Sequence, residues 1–421
     1  MDTPDSLYAP VTTAAAPDYD VIVVGAGPVG LTLAALLDRE GFRVLVLEKR
    51  TARSALSRAI GITPPSLRIL ATLGLDRPCI EAGLRIQDAI VHGNDRVIGD
   101  LQFHGIPGDY PFILSLPQSD FEAILEDHVT RHTRVTLRRG HAATAVETEK
   151  GTALVRCADP ACPAARAPWV VACDGAASDM RGMAGIGCEI HPYPCRFAMT
   201  DFVDRSPHGA VAQLYFSRRG TVESFPLPGG KRRWIAQLIG DRSPEAEVSS
   251  EINLASIHER TGWAPDDRDR LDGWSAFQPQ WLLADRFFSG RTILCGDAAH
   301  VMSPIGGQGM NTGLADAEDL AGRLRRILHE GAAPDAEFRT YESRRRLAFR
   351  RAGRFAAICM WIGTRRGAFS ARLRDWAIDR CLRIPPIRPW LARNFAMLPP
   401  PAASGPPSAR ESTAEDRTQP C

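Results

Sequence analysis

Residues Tyr19 to Arg50 constrain this chain more than any other stretch. An apolar run, Val21-Ile22-Val23-Val24, leads into Gly25-Ala26-Gly27-Pro28-Val29-Gly30. A helical run from Leu31 to Leu37 follows, then Gly41, then Val44 to Leu47 closed by Glu48 and Lys49. Continuous apolar runs, as opposed to alternating ones, suit parallel strands buried on both faces. The pattern is strand, G-x-G-x-x-G turn, helix, strand, acid. Gly25 permits the tight turn, Gly27 lets a pyrophosphate approach the backbone, and Gly30 lets helix and strand pack closely. The helix N-terminus offers free N–H groups and partial positive charge to that pyrophosphate. Glu48 lies 18 residues beyond Gly30, where a carboxylate can accept both ribose hydroxyl protons. A lone glycine motif is weak evidence, the alternative being a plain glycine-rich loop. Here strand, helix, second strand and acid agree, and they indicate a dinucleotide without choosing between NAD and FAD.

The 421 residues are enough for two domains and an appendage. A net charge of +2 predicts nothing about partners, and no nucleic-acid partner is expected. Ten cysteines are scattered with no C-x-x-C pair, against a zinc ribbon or a thioredoxin-type site, and no metal is expected. Cys173 and Cys295 end apolar runs and read as small buried hydrophobes. The acidic start and the lack of a long apolar run give no sign of a signal peptide or a membrane span, and a reducing cytoplasm fits.

Pro64-Pro65 open a helix that ends near Gly74. Alternation from Leu84 to Phe103 suggests a strand pair around Gly93-Asn94-Asp95. A helix follows Gln118, with Ser119 or Asp120 as its cap. Strands are expected at 135–137, 143–148, 153–157 and 169–172, the last reaching Cys173-Asp174-Gly175-Ala176-Ala177-Ser178 and then Arg181. Residues 188–240 read as an antiparallel sheet, with turns at Arg218-Arg219-Gly220 and Pro228-Gly229-Gly230. On it, Gln213, Phe225 and Trp234 face either a pocket or the core. The run Arg291 to Cys295 leads to Gly296-Asp297-Ala298-Ala299-His300, then Pro304-Ile305-Gly306-Gly307-Gln308-Gly309-Met310-Asn311 and a long helix. Both termini are Pro-, Ala- and Ser/Thr-rich and read as disordered.

The Gly296-Asp297 stretch decides the cofactor. A strand ending in Gly-Asp places a carboxylate at the carboxyl edge of the sheet, where open α/β folds bind ligands. Such a carboxylate can hold a polyol such as the ribityl chain of FAD. Gly307 and Gly309 expose backbone at a helix start, so the N–H groups of Met310 and Asn311 can face the flavin pyrimidine edge. His300 reads as a buried structural histidine in preference to a base.

Taken together, the chain resembles the FAD-dependent aromatic hydroxylases, the para-hydroxybenzoate hydroxylase-like group of single-component flavoprotein monooxygenases. The likeness rests on Gly25-x-Gly27-x-x-Gly30 with Glu48, on Asp174-Gly175 ending in Arg181, and on Gly296 to His300 with Pro304, Gly309 and Asn311. It implies an α/β fold: a Rossmann-type FAD-binding domain with an inserted, mostly antiparallel β-sheet substrate domain and a C-terminal helical segment. The implied division is 19–83, 108–187 and 281–334 for FAD, 84–107 and 188–280 for substrate, 335–398 for helices, with tails 1–18 and 399–421. Glu48 would bind the adenosine ribose and Asp297 the ribityl chain. Arg58 and Gln118 would contact FAD. Asp174 would link the flavin to nicotinamide binding, and Pro304 would lie beside the isoalloxazine. Arg58 and Pro304 are the residues expected nearest the chemistry. The arginine common after the family's Asp-Gly is replaced by Ala176-Ala177, and no second glycine motif offers a nicotinamide domain. The implied activity is NAD(P)H- and O2-dependent hydroxylation of a small aromatic substrate through a flavin C4a-hydroperoxide, by a monomer or homodimer. Alternatives on the same scaffold are a halogenase, a prenyl-chain reductase or a non-catalytic FAD-binding subunit. No W-x-W-x-I-P segment supports the halogenase; Phe225-Pro226-Leu227-Pro228 does not match it.

Residues 339–393 hold 15 arginines against three carboxylates, interleaved with Phe355, Trp361, Phe369 and Trp376. The favoured reading is a helical cap on the acidic remainder of the chain; the other is a helix pair on acidic lipid or an acidic partner.

Overall fold

The computed structural model describes residues 17–54, 59–94, 96–149, 151–159 and 161–399. The elements that build the site run in this order. The chain starts with β1 (Val21–Val24), α1 (Pro28–Arg39), β2 (Val44–Glu48), β3 (Asp88–His92) and β4 (Val97–Gln102). Then come α2 (Gln118–His132), β5 (Thr136–Arg139), β6 (Trp169–Ala172) and α3 (Asp179–Met183). The strands β7 (Arg196–Val203), β8 (Ala212–Ser217), β9 (Gly220–Leu227), β10 (Lys231–Leu238) and β11 (Ser275–Phe277) follow. The chain closes with β12 (Thr292–Leu294) and the helices α4 (Gln308–Glu330), α5 (Pro334–Gly363), α6 (Ala368–Leu382) and α7 (Ile387–Phe395).

One sheet has the parallel order β12-β6-β1-β2-β5, with Phe288–Ser289 added antiparallel at the β12 edge. Its centre is dry, as the unbroken apolar runs require: Val21, Ile22 and Val23 are fully buried. Leu31, Leu33 and Leu37 of α1 are buried equally, each worth about 1.5–3 kcal/mol. A Cβ at Gly25, whose φ is +108°, would strike the Cys173 carbonyl, and one at Gly30 would strike the Gly25 carbonyl. The tight turn and the close helix–strand contact therefore both depend on glycine.

The other large sheet has the order β11-β7-β10-β9-β8-β3-β4. It is antiparallel except where β8 runs parallel to β3, pairing Ala212 with Ala89 and Tyr215 with His92. The turns at 218–219 and 228–230 fall where the glycines place them. One face carries a compact core of Phe202, Tyr215, Val222, Trp234 and Ile257. Trp234 is thus a core residue, and Gln213 is buried against His92, 2.7 Å away. Phe225 lies on the opposite face, toward a cavity.

The helix start at 118 differs from expectation. The cap is Pro117, and neither Ser119 nor Asp120 caps it. Proline fixes the backbone entry one turn earlier, and Asp120 falls in the first turn, where its charge still suits the helix dipole.

The arginine-rich helices divide into two populations. Arg339, Arg345, Arg346, Arg374, Arg383 and Arg388 form ion pairs, the last with Asp100 of β4. Arg350, Arg354, Arg365, Arg372 and Arg380 belong to the other population and are exposed. Asp375 of α6 accepts hydrogen bonds from the backbone and side-chain amides of Asn94. Leu382 fills the space above Gly99, where any Cβ would collide with it. The helices are therefore docked on the β3–β4 hairpin.

Candidate functional site

The first glycine loop and Glu48 meet as the spacing demands. Glu48 Oε2 accepts the Ala26 N–H at 2.8 Å, and Oε1 accepts the Arg50 N–H at 2.9 Å. The carboxylate thus ties the end of β2 to the loop. Each oxygen keeps a second lone pair for a ribose hydroxyl. A Cβ at Gly27 would meet nothing within 4 Å, so this loop faces open space of the kind a pyrophosphate needs. Lys49 is exposed beside it, 3.4 Å from Asp179.

Asp297 sits in a short 3-10 turn, Gly296–Ala298, directly after β12, and is exposed at the carboxyl edge of the sheet. Asp316 of α4, which sequence reasoning passed over, secures that turn from beneath. It is fully buried, accepts the Gly296 N–H at 3.2 Å, and pairs with Arg345 of α5. His300 Nε2 lies 2.7 Å from Asp316, off the axis of a straight hydrogen bond. Burial opposes ionisation of Asp316, but His300 and Arg345 overcome it and hold the carboxyl below its ordinary value. His300 is accordingly a buried structural residue. Arg181 links the two acidic motifs by donating to the carbonyls of Ala298 and Ala176, both at 3.0 Å.

Two residues expected at the site also make internal contacts. The Asp174 carboxylate accepts the Ser178 hydroxyl at 2.6 Å and the Met180 N–H at 3.0 Å, so it organises the start of α3 while bordering the cavity. Asn311 does not border the cavity. Its side chain donates to the Gly61 and Gly307 carbonyls and accepts the Thr63 N–H. The Asn311 side chain is a clamp between α4 and the segment at 61–63. Gly30 likewise does not border the cavity, and its lack of a Cβ lets the Gly25 carbonyl come close. Gly307, with φ +65°, caps α4, and Gly307, Gly309 and Met310 at this helix start border the cavity. The Gln118 amide donates to Glu122 at 2.8 Å and accepts the Ala59 N–H at 3.3 Å. Arg58 lies outside the described residues.

A cavity of about 1370 Å³ joins these parts. Gly25, Gly27, Pro28, Glu48 and Lys49 border one end, with Gln118, Asp174 and Asp297. Pro304, Gly307, Gly309 and Met310 border its middle. The other end is the second face of the seven-stranded sheet, where Leu214, Phe225, Ile235 and Met199 form an apolar floor under α5 and α6. Arg233 borders this floor but is held bidentate by Asp201, at 2.7 and 2.9 Å.

Glu223 is the exception on that floor. It stands between Leu214 and Ile235 in cross-strand register and is 9% exposed. No hydrogen-bond or ion-pair partner serves its carboxyl among the described residues, and burial pushes it up from 4.5 to about 7. Cys359 of α5 is close by: burial, with help from Glu223, pushes its thiol up to about 12. Strand alternation could have found Glu223, since it shares the face of Phe225 two residues on.

This arrangement defines an FAD-binding flavoprotein of the doubly wound kind, with a second sheet closing its cavity. Residues 18–356 match the family described as FAD binding domain. An anhydrotetracycline monooxygenase of Streptomyces rimosus is 31% identical over 352 residues, 78% of this chain and 66% of that protein. A para-nitrophenol 4-monooxygenase of Pseudomonas sp. (strain WBC-3) is 28% identical, covering 74% of this chain and 79% of that one. The crystal structure of a p-nitrophenol 4-monooxygenase from Pseudomonas putida DLL-E4 superposes with a TM-score of 0.80 at 28% identity, over 89% of this chain and 97% of that one. The chain belongs to the FAD-dependent aromatic hydroxylases, with the para-hydroxybenzoate hydroxylase-like fold.

Proposed function

We propose that this chain is an NAD(P)H- and O2-dependent monooxygenase that hydroxylates a phenolic or polycyclic aromatic molecule. The observation that carries the reading is the continuity of the cavity from the glycine loop and Asp297 to the apolar sheet floor. Named relatives act on a nitrophenol and on tetracycline intermediates, which fits a flat aromatic substrate. FAD, when bound, supplies the electron transfer and oxygen activation. The protein's own part is placement and dryness. Glu48, the Gly27 loop and Asp297 are positioned to hold the adenosine half and the ribityl chain. The N-terminus of α4 directs N–H groups and positive dipole at the middle of the cavity, where negative charge would gather on reduction. Phe225, Leu214, Ile235 and Met199 keep water from the ring to be oxidised. Glu223 is the polar group on that floor able to meet a substrate hydroxyl.

The test is a screen of phenols and polycyclic aromatics for stimulated NAD(P)H oxidation by the FAD-loaded chain, with products identified by mass. One compound should speed oxidation and gain one oxygen atom. FAD that stays bound yet is not reduced by NADH or NADPH with any aromatic offered would refute the reading.

A further inference from the structure

The helices α5 and α6 expose apolar side chains that nothing among the described residues covers. Phe369 is 82% exposed, Trp361 61% and Trp376 60%. These residues form ordered stripes. On α5, Arg354, Ile358 and Trp361 follow at spacings of four and three, with Arg365 just past the helix end, and all are exposed. On α6, Phe369, Arg372, Leu373, Trp376 and Arg380 do the same. Spacings of three and four put each set on one helical face. Arg365 lies over the Trp361 ring, 3.9 Å from its centroid.

The charge of this face has one sign. Arg350, Arg351, Arg354, Arg365, Arg366, Arg372 and Arg380 form no ion pair among the described residues. Between residues 343 and 382 the only carboxylates are Asp375 and Asp379. The first is paired with Arg374 and the second with Arg383 and Arg96. Among the described residues, Arg344, Arg345 and Arg388 of the arginine-rich segment pair with carboxylates outside these helices, as a cap would, and the set above does not. Ile358 and Trp390 are both exposed and also border the cavity, so the cavity reaches the surface beside the stripes.

We propose that the exposed face of α5 and α6 docks on an anionic lipid bilayer. Tryptophan and phenylalanine enter the headgroup boundary, while arginines extend to lipid phosphates and keep their stems on the apolar side. A second copy of the chain is a poorer occupant, because a twofold contact through this face would set arginine against arginine. The proposal is independent of the reaction assigned to the cavity.

The experiment is flotation of the FAD-loaded full chain with vesicles of equimolar phosphatidylglycerol and phosphatidylcholine, against phosphatidylcholine alone, at moderate salt. Phe369→Ser with Trp376→Ser, and separately Arg372→Gln with Arg380→Gln, are compared, using retained FAD absorbance to show an intact fold. The chain should float with the anionic vesicles only and be released by high salt, and each double variant should weaken binding on the order of tenfold or more. Absence of flotation on anionic vesicles, or flotation unchanged in both variants, overturns the proposal. So does loss of a dimer in the variants, by light scattering, without any vesicle binding; that result would assign the face to a second copy.

Discussion

Glu223→Gln should make the protein more stable at neutral and alkaline pH, by an amount that shrinks as the pH falls. The carboxyl has an ordinary value of 4.5 and rises to about 7 in the fold because burial disfavours its charge. Between these values the unfolded chain has already released the proton that the fold still holds. Stability therefore falls as pH rises through this window and stays reduced above it. Well below 4.5 both states hold the proton and the group contributes no penalty. A tenfold difference in proton affinity between the folded and unfolded chain corresponds to about 1.4 kcal/mol, so the full penalty is roughly 3 kcal/mol at pH 8 and about 1 kcal/mol at pH 5. Glutamine keeps the shape and removes the titration. Any cost of the buried amide is the same at every pH and drops out of the trend. The assay is urea unfolding of both FAD-loaded proteins from pH 5 to pH 8. The difference between them should widen by about 2 kcal/mol over that range. A difference that stays flat would show that Glu223 is hydrated or paired in solution, and its place as a lone carboxyl on a dry floor would be lost.

Other perturbations test other parts of the site. Glu48→Ala should weaken FAD binding by about 1.5–3 kcal/mol for each lost charge-assisted hydrogen bond; equilibrium dialysis at unchanged affinity would remove Glu48 from the adenosine end. Asp297→Ala should lower the FAD content of the purified chain, read from the ratio of flavin to protein absorbance. Asp316→Asn should destabilise the fold by about 3–5 kcal/mol, since it strands His300 and Arg345 in a buried site; a melting temperature equal to wild type would contradict the arrangement. Gly99→Val should push Leu382 away and loosen α6, seen as faster hydrogen exchange confined to residues 368–395.

The parts of this site that could be read from sequence are those held within a few contiguous residues. The glycine loop, Glu48 and the Gly296-Asp297 turn each follow an apolar strand directly, so backbone geometry and residue type together state the role. What stayed hidden depends on contacts far apart in the chain. Nothing local announces that Ala212–Tyr215 will run parallel to Ala89–His92. That pairing brings the pieces at 88–102 and 196–277 into one sheet and so creates the cavity floor. Asn311 carries the motif position, and its side-chain amide binds the Gly61 carbonyl 250 residues earlier, a contact no local pattern announces.

The C-terminal helices show how charge composition divides between two tasks. An excess of arginine alone cannot separate a cap from a surface that meets an acidic partner. The structure separates them by partner. Arg345 reaches Asp316 beneath the Gly-Asp turn, so α5 braces the backbone that carries Asp297. Arg388 and Asp375 dock α6 and α7 on the β3–β4 hairpin, which carries part of the cavity floor. These contacts use the inward faces of the helices, and the outward faces carry the unpaired arginines and large apolar side chains. The helices therefore join the cofactor end of the cavity to its sheet floor while leaving its mouth, at Ile358 and Trp390, on the basic aromatic surface. Shortening the chain before α6 should accordingly open the sheet floor to water as well as remove the surface.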